Sequence, residues 1–408
     1  MKELKPALER LYGLIGKGQR QDLEEMRQAC ERLGHPENKF ESIHIAGTNG
    51  KGTVAAFLSS MHVAAGKKVG LYTSPHLVRF RERIRIDGEP ISDSALADLI
   101  HRVMDAAPEL TFYETVTLMA FIAFAEAGVE RAVFEVGLGG RLDATNVIPA
   151  PRIAIITRVA FDHMDILGDS LTAIAGEKAG IIKEGSTVLC GTLHPDAQKV
   201  VDERVAQVGA RQIDLGDPEP IPGAPLAYPR LSMIGSNLAV AVTAGRELGL
   251  PPQSMARGIE SLDWPGRNEL LHRNRRELTL LDCAHNPDGA LTLSHTLSPE
   301  MLEVDSRRNI ALVFGTTQGK LYKAMLQRLE PCCAHRFYTP VPVPNSEDPE
   351  KFLEVFDGEV CTSVEEALTL ARQAVGAEGV VVVTGSIFLV GAARAILLDL
   401  ERDPAIAM

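Results

Sequence analysis

The chain has 408 residues, 45% hydrophobic and 24% charged, a balance that excludes a disordered chain, a collagen and a coiled coil. At about 150 residues per domain, two or three domains are expected, with ample length for two hydrophobic cores. Lysines and arginines number 42 against 54 aspartates and glutamates, and the net charge of −12 argues against a general nucleic-acid binder while permitting a locally positive pocket.

Met1 to Gly18 carries Lys2, Glu3, Lys5, Glu9 and Arg10 without a long apolar core, unlike a secretory leader. The uncharged stretches Leu231–Gly245 and Gly379–Ala393 fall short of the ~20 apolar residues of a membrane helix. The six cysteines include no C-x-x-C pair, which points away from zinc and towards a reducing compartment. A cytoplasmic protein without membrane or nucleic-acid partners is expected.

Short β-branched runs then alternate with helix-period segments, the pattern of βαβ units. Strands are predicted at Ser42–Ala46, Val69–Tyr72, Ala132–Val136, Ile153–Val159 and Thr187–Cys190. Helices are predicted at Thr53–Ala65, Ser92–Ala107, Thr115–Ala127, Leu171–Ile182 and Gly235–Leu248. Residues 214–229 hold five prolines and read as a surface loop. Asp263–Arg267 contains Trp-Pro-Gly-Arg, a break in regular structure and the expected hinge. A second series follows, with strands at Leu278–Asp282, Ile310–Phe314, Arg336–Thr339 and Val380–Thr384. Its helices are Asp288–Leu297, Tyr322–Leu329, Val364–Ala374 and Ile387–Leu398. Domains are expected at 1–270 and 271–408.

The first predicted strand runs into Gly47-Thr48-Asn49-Gly50-Lys51-Gly52-Thr53 and then a helix. Glycines let backbone N–H groups face phosphate oxygens, the helix end adds positive potential and Lys51 adds a charge. The strict P-loop pattern fails twice: Ile45 replaces its first glycine, and Gly52 separates Lys51 from Thr53. A Gly-rich surface turn is the plainer alternative. Glu135 ends a strand and enters Gly137-Leu138-Gly139-Gly140-Arg141-Leu142-Asp143-Ala144-Thr145-Asn146, either as a metal ligand or as a loop cap. His163 follows another strand, as a ligand or a structural histidine. Lys178 lies among apolar residues, where its ammonium form is disfavoured. Its neutral amine could add CO2 to give a carbamate; a snorkelling surface lysine is the other reading.

These segments, with Ser74-Pro75-His76-Leu77-Val78-Arg79-Phe80, Asp162-His163, Glu177-Lys178-Ala179-Gly180-Ile181, Pro265-Gly266-Arg267 and Asp282 with Ala284-His285-Asn286-Pro287, resemble the folylpolyglutamate synthase and dihydrofolate synthase family within the Mur ligase superfamily. The resemblance spans nearly the whole chain. It implies an α/β protein with an N-terminal P-loop ATPase domain of Mur ligase type and a C-terminal Rossmann-like α/β domain, with ATP bound between them. It implies an enzyme that joins L-glutamate to dihydropteroate or a reduced folate through an acyl phosphate, releasing ADP and phosphate. ATP and Mg²⁺ are the implied cofactors, a monovalent cation is an open addition, and a monomer is the implied state.

Carried over residue by residue, the phosphate loop falls on Gly47, Thr48, Asn49, Gly50, Lys51, Gly52 and Thr53. Metal positions fall on Ser74, Glu135 and His163, and the carbamylated lysine on Lys178. Lys51, Lys178 and His163 form the catalytic set. Further nucleotide positions fall on Asn237, Arg267, Asp282 and His285, the last orienting nucleotide or glutamate. Substrate positions fall on Ser74, Pro75, His76 and Arg83, on Tyr113 and Glu114, and on Leu142, Asp143 and Ala144. Gly315–Lys320 lacks the family's Asp-Lys-Asp run. Another Mur-type amide ligase, such as a muropeptide ligase, and a non-catalytic nucleotide-binding regulator are the alternatives. Retention of Lys51, Glu135, His163 and Lys178 together argues against the regulator.

Overall fold

Runs of valine and isoleucine form the strands of this structure, a computed structural model that describes residues 3–16, 18, 22–216, 233–274, 277–297, 302 and 310–403. Two units result, one made of Met1–His76 and Arg81–Leu262, the other of Leu77–Phe80 and Asp263–Met408. Most of the loop expected at 214–229 lies outside the described residues.

The first unit contains β1 (Glu41–Ala46), β2 (Val69–Tyr72), β3 (Ile84–Ile86), β4 (Glu89–Pro90), β5 (Arg131–Glu135), β6 (Ile153–Ile156), β7 (Thr187–Cys190) and β8 (Arg211–Ile213). They form one sheet in the order β4-β3-β2-β5-β1-β6-β7-β8. From β2 to β8 the neighbours are parallel, and β3 and β4 extend the sheet antiparallel. Parallel strands are covered on both faces, so they are apolar along their length, as in β2 and β6. Ile45 lies opposite Glu135, Ala46 opposite Ile156, and Tyr72 opposite Phe134. The loops after β1, β2, β5 and β6 therefore leave one edge side by side, the carboxyl edge where α/β proteins bind ligands.

The helix Lys51–Ala64 is buried nearly all round, as its apolar sequence requires. Helices Met233–Glu247 and Pro252–Glu260 pack against it. A side chain on Gly258 would stand 2.5 Å from the Met61 Cα, so glycine permits that approach. The helix Phe112–Ala127 opens with a capping box between Thr111 and Glu114 and closes on Gly128 in the left-handed conformation. Its Phe121 meets Phe134 edge to face, ring centroids 5.3 Å apart. Each such buried aromatic contributes roughly 1.5–3 kcal/mol.

The second unit contains β9 (Glu269–Asn274), β10 (Glu277–Leu281), β11 (Ile310–Phe314), β12 (His335–Tyr338), β13 (Glu359–Val360) and β14 (Val380–Thr384). Their order is β13-β12-β11-β14-β10-β9, parallel except for β9. Alternate side chains serve opposite faces. Val381 and Val383 join the core under helices Val364–Val375 and Ile387–Leu398, and Val380 and Val382 the core under Pro287–Thr296 and Tyr322–Leu329. The segment Leu77–Phe80 is fastened to this unit by Asp403. Its Oδ2 accepts the Phe80 N–H at 2.7 Å, its own N–H donates to Val78 O at 3.2 Å, and its Oδ1 stands 3.3 Å from Arg79 Nε. A side chain at Gly391 would run into Leu77 O.

Several predicted elements appear at the expected residues, among them Val69–Tyr72, Thr187–Cys190, Ile310–Phe314, Val380–Thr384 and Ile387–Leu398. Two end early. The strand predicted to Val159 stops at Ile156, because Thr157 turns its hydroxyl to Asn49 O at 2.7 Å. The helix predicted to Ile182 stops at Ala179, because Gly180 lies against Arg141, the Arg141 Cα being 2.5 Å from where a Cβ would sit. Among the described residues no helix is long and apolar enough to cross a membrane.

Candidate functional site

The loop Gly47–Gly50 joins β1 to the helix Lys51–Ala64. Gly50 has φ 87, and a Cβ there would run into Asn237 Oδ1; one on Gly47 would run into Thr157 Oγ1. Thr48 N–H donates to Arg158 O at 2.6 Å and its hydroxyl to Ala160 O at 3.0 Å. These bonds fix a small cradle, walled by Asn237 and by the segment after β6, at the positive end of a helix.

Two amines converge on this loop. Lys51 Nζ donates to Gly47 O at 3.1 Å and Thr48 O at 3.2 Å. Lys178, in the last turn of the helix Leu171–Ala179, donates to the same Gly47 O at 3.0 Å. Lys178 is 3% exposed, so it is a core residue and does not snorkel. Burial first, and then the neighbouring Lys51 charge, push its pKa down to about 7.

Glu135 is buried at the end of β5, and its Oε2 accepts the Ser74 N–H at 3.1 Å. Glu135 and Ser74, two residues expected at the metal, thus touch through the Ser74 backbone. Thr53 is buried in the first turn of the helix after the cradle. His163 stands on the loop after β6 in the left-handed region, its ring 45% exposed and 3.9 Å from Asp162 Oδ1. Among the described residues no three His, Cys, Asp or Glu side chains converge on a metal-sized space. The available donors, the Glu135 carboxylate with the Ser74 and Thr53 hydroxyls, are hard oxygens that suit Mg²⁺.

The expected substrate residues make a second set of contacts. Asp143 Oδ2 accepts the N–H groups of Gly137 and Leu138, both at 3.0 Å. Its Oδ1 accepts from Thr145 N at 3.0 Å and from the Tyr113 hydroxyl at 3.4 Å. Burial raises its pKa against the pull of these bonds. Asp143 also caps the 3-10 turn Ala144–Val147, with Ala144 buried and Leu142 half-buried. The Tyr72 and Tyr113 rings lie 6.3 Å apart. Arg83 is fully buried, donates Nε–H to His76 Nδ1 at 3.0 Å and sits 5.7 Å over the Phe112 ring. Burial lowers its pKa. The Ser74–Pro75 bond is cis. Glu114 serves its own helix: its Oε2 accepts the Thr111 N–H and hydroxyl, both at 2.8 Å.

In the second unit Asp282 follows β10 at the carboxyl edge of that sheet. Its oxygens accept the N–H groups of Asn268 at 3.0 Å and Ala284 at 2.9 Å, and burial raises its pKa against the Arg267 charge. Arg267 Nη1 donates to Gly266 O at 3.1 Å, and His285 Nδ1 pairs with Cys283 O at 2.9 Å. Glu269 holds this turn, accepting the Gly266 N–H at 2.8 Å and Arg394 Nε–H at 2.9 Å.

Sequence reasoning missed Thr157, Glu269 and the buried pair His44–Thr145. His44 could have been found: a polar residue inside an apolar strand needs a buried partner.

Residues 45–216 match the Mur ligase middle domain, and residues 266–387 match the Mur ligase, glutamate ligase domain. The chain is 32% identical to the dihydrofolate synthase/folylpolyglutamate synthase of Bacillus subtilis over 422 residues, 94% of this chain and 96% of that protein. The structure of Escherichia coli FolC in complex with DHPP and ADP matches with a TM-score of 0.87 at 29% identity, over 97% of this chain and 98% of that one. The bifunctional folylpolyglutamate synthase/dihydrofolate synthase from Yersinia pestis, complexed with AMPPNP and Mn ion, matches with a TM-score of 0.85 at 29% identity, over 98% of each chain. With both domain types present in order and the likeness running almost end to end, the chain belongs to the dihydrofolate synthase/folylpolyglutamate synthase family of Mur ligases.

Proposed function

We infer that this protein is an ATP-dependent ligase that joins L-glutamate to dihydropteroate, to the γ-carboxyl of reduced folates, or to both. The observation that carries the reading is the convergence of Lys51 and Lys178 on one carbonyl at the head of a glycine cradle. A carboxylate does not condense with an amine in water unaided. Here it attacks the γ-phosphate of ATP, giving an acyl phosphate and ADP; the glutamate amine then attacks the acyl carbon and phosphate leaves. The first step brings anion to anion, so positive charge has to be gathered at the cradle.

Gly47 to Thr53 bind the phosphates in this reading, with Lys51 as the fixed charge and Asn237 as one wall. Arg267, Asp282 and His285 are the second unit's candidates for nucleotide or incoming glutamate. Ser74, Glu135 and His163 would hold Mg²⁺, which when bound neutralises phosphate charge. The neutral Lys178 amine adds CO2 to form a carbamate and release a proton, so that a buried neutral group becomes an anion. Tyr113, Asp143, Ala144 and Leu142, with Ser74, Pro75, His76 and Arg83, form the pteridine side in this reading. Glu114, beside Tyr113, is the further candidate there and also caps its own helix. All six cysteines are free, which supports a reducing cytoplasm.

The test is ADP release with Mg²⁺-ATP and glutamate, in parallel with 7,8-dihydropteroate and with tetrahydrofolate. Release that needs both glutamate and a pteridine is the expected result, and activity with both pteridines would make the enzyme bifunctional. ATP binding without release in either reaction would overturn the assignment, in favour of another amide ligase or a regulator.

A further inference from the structure

His44 lies in the middle of β1, fully buried, with Phe134 of β5 and Ala154 of β6 opposite it. Its Nε2 is 2.8 Å from Thr145 Oγ1, and Thr145 Oγ1 is 2.5 Å from Asp143 Oδ1. The direction of these bonds follows from counting protons. Asp143 faces three backbone N–H groups, from Gly137, Leu138 and Thr145, which can only donate. These fixed donors favour the carboxylate, an acceptor only, against the burial that raises its pKa. The single Thr145 hydroxyl proton goes to Asp143, so Thr145 accepts from His44. That places a proton on His44 Nε2, and burial with the nearby Lys183 charge keeps the ring neutral, pushing its pKa down to about 3.

We propose that His44 is a positioning residue for the pteridine substrate: through Thr145 it fixes the rotation of Asp143, and with it the Gly137–Leu138 backbone and the Tyr113 hydroxyl. This rests on the pteridine assignment above. Without the imidazole N–H, the Thr145 hydroxyl loses the bond that sets its rotamer, and Asp143 loses its short, charge-assisted partner geometry. β1 thus serves two substrates, the pteridine side through His44 and the phosphate cradle through Gly47, three residues on.

The experiment is steady-state kinetics of His44→Leu, His44→Gln, Thr145→Val and the double variant H44L/T145V. His44→Leu should raise KM for the pteridine on the order of tenfold, the effect of one lost buried hydrogen bond, and leave KM for ATP within about twofold. His44→Gln, which keeps an N–H near the same place, should restore most of the loss. The double variant should be no worse than either single one, since both cut one relay. Equal changes in both KM values, or additive losses, would overturn the proposal. A second measurement stands apart from activity: ¹⁵N shifts of the wild-type histidine ring, assigned by the signal missing in His44→Gln. The Nε2–H tautomer is expected; the Nδ1–H tautomer or imidazolium would overturn the relay, even where His44→Leu does not fold. Absence of any pteridine turnover by the wild type would instead sink the functional reading and leave the tautomer to decide the relay.

Discussion

Lys178 concentrates the chemistry of the site in one atom. A lysine with pKa near 7 is half neutral at physiological pH, and the neutral fraction grows as pH rises through 7. Carbamate formation should follow the same curve. Enzyme stripped of CO2 should regain activity faster at pH 8 than at pH 6 when both are given the same dissolved CO2, as followed by ADP release. Lys178→Ala should lose on the order of a hundredfold in turnover, and a short carboxylic acid added in excess should return part of it. Full activity in Lys178→Ala would rule the carbamate out. The sequence disclosed the apolar company of Lys178 but not its burial, because what covers it comes from the cradle, 131 positions away at Gly47. A gap of 101 positions likewise hid Thr145 from His44.

At the scale of elements, the glycine cradle depends on two features that fail separately. Gly50 needs the left-handed region, which costs a residue with a Cβ about 1–3 kcal/mol. It also needs empty space where Asn237 Oδ1 stands. Gly50→Ala should therefore lower the thermal midpoint and weaken ATP binding in a titration. Adding Asn237→Ala should recover the steric part and leave the backbone part; complete recovery would show that conformation does not matter there. The parallel strands were legible because burial on both faces leaves unbroken apolar runs, as in Val380–Thr384. Edge strands such as Glu89–Pro90 and Glu359–Val360 were not, since two residues leave no periodicity to read. The helices Leu4–Tyr12 and Pro195–Val208 also went unread, their polar faces masking short apolar stripes.

Across the whole molecule the chain does not divide into two consecutive pieces. Leu77–Phe80 leaves the first unit for four residues and is secured by Asp403. Asp403→Ala should speed hydrogen exchange at the Phe80 amide about tenfold or more, since that N–H loses its buried acceptor. It should also raise KM for the pteridine, because Ser74, His76 and Arg83 flank the freed segment. An unchanged exchange rate at Phe80 would contradict the fastening role. The pairing was not legible, because Arg79 and Asp403 lie far apart in the sequence and only folding brings them together.

That fastening also imposes an order of events on the ribosome. Phe80 and Asp403 are 323 positions apart. At about 5–20 residues per second, the four residues emerge roughly 15–65 s before the carboxylate that receives them exists. Until then Leu77 and Val78 have no completed core to enter, and the first unit has to fold around a gap in its own chain. A nascent protein arrested after Leu262 has emerged but before Asp403 would carry a folded glycine cradle and an unanchored Leu77–Phe80 segment.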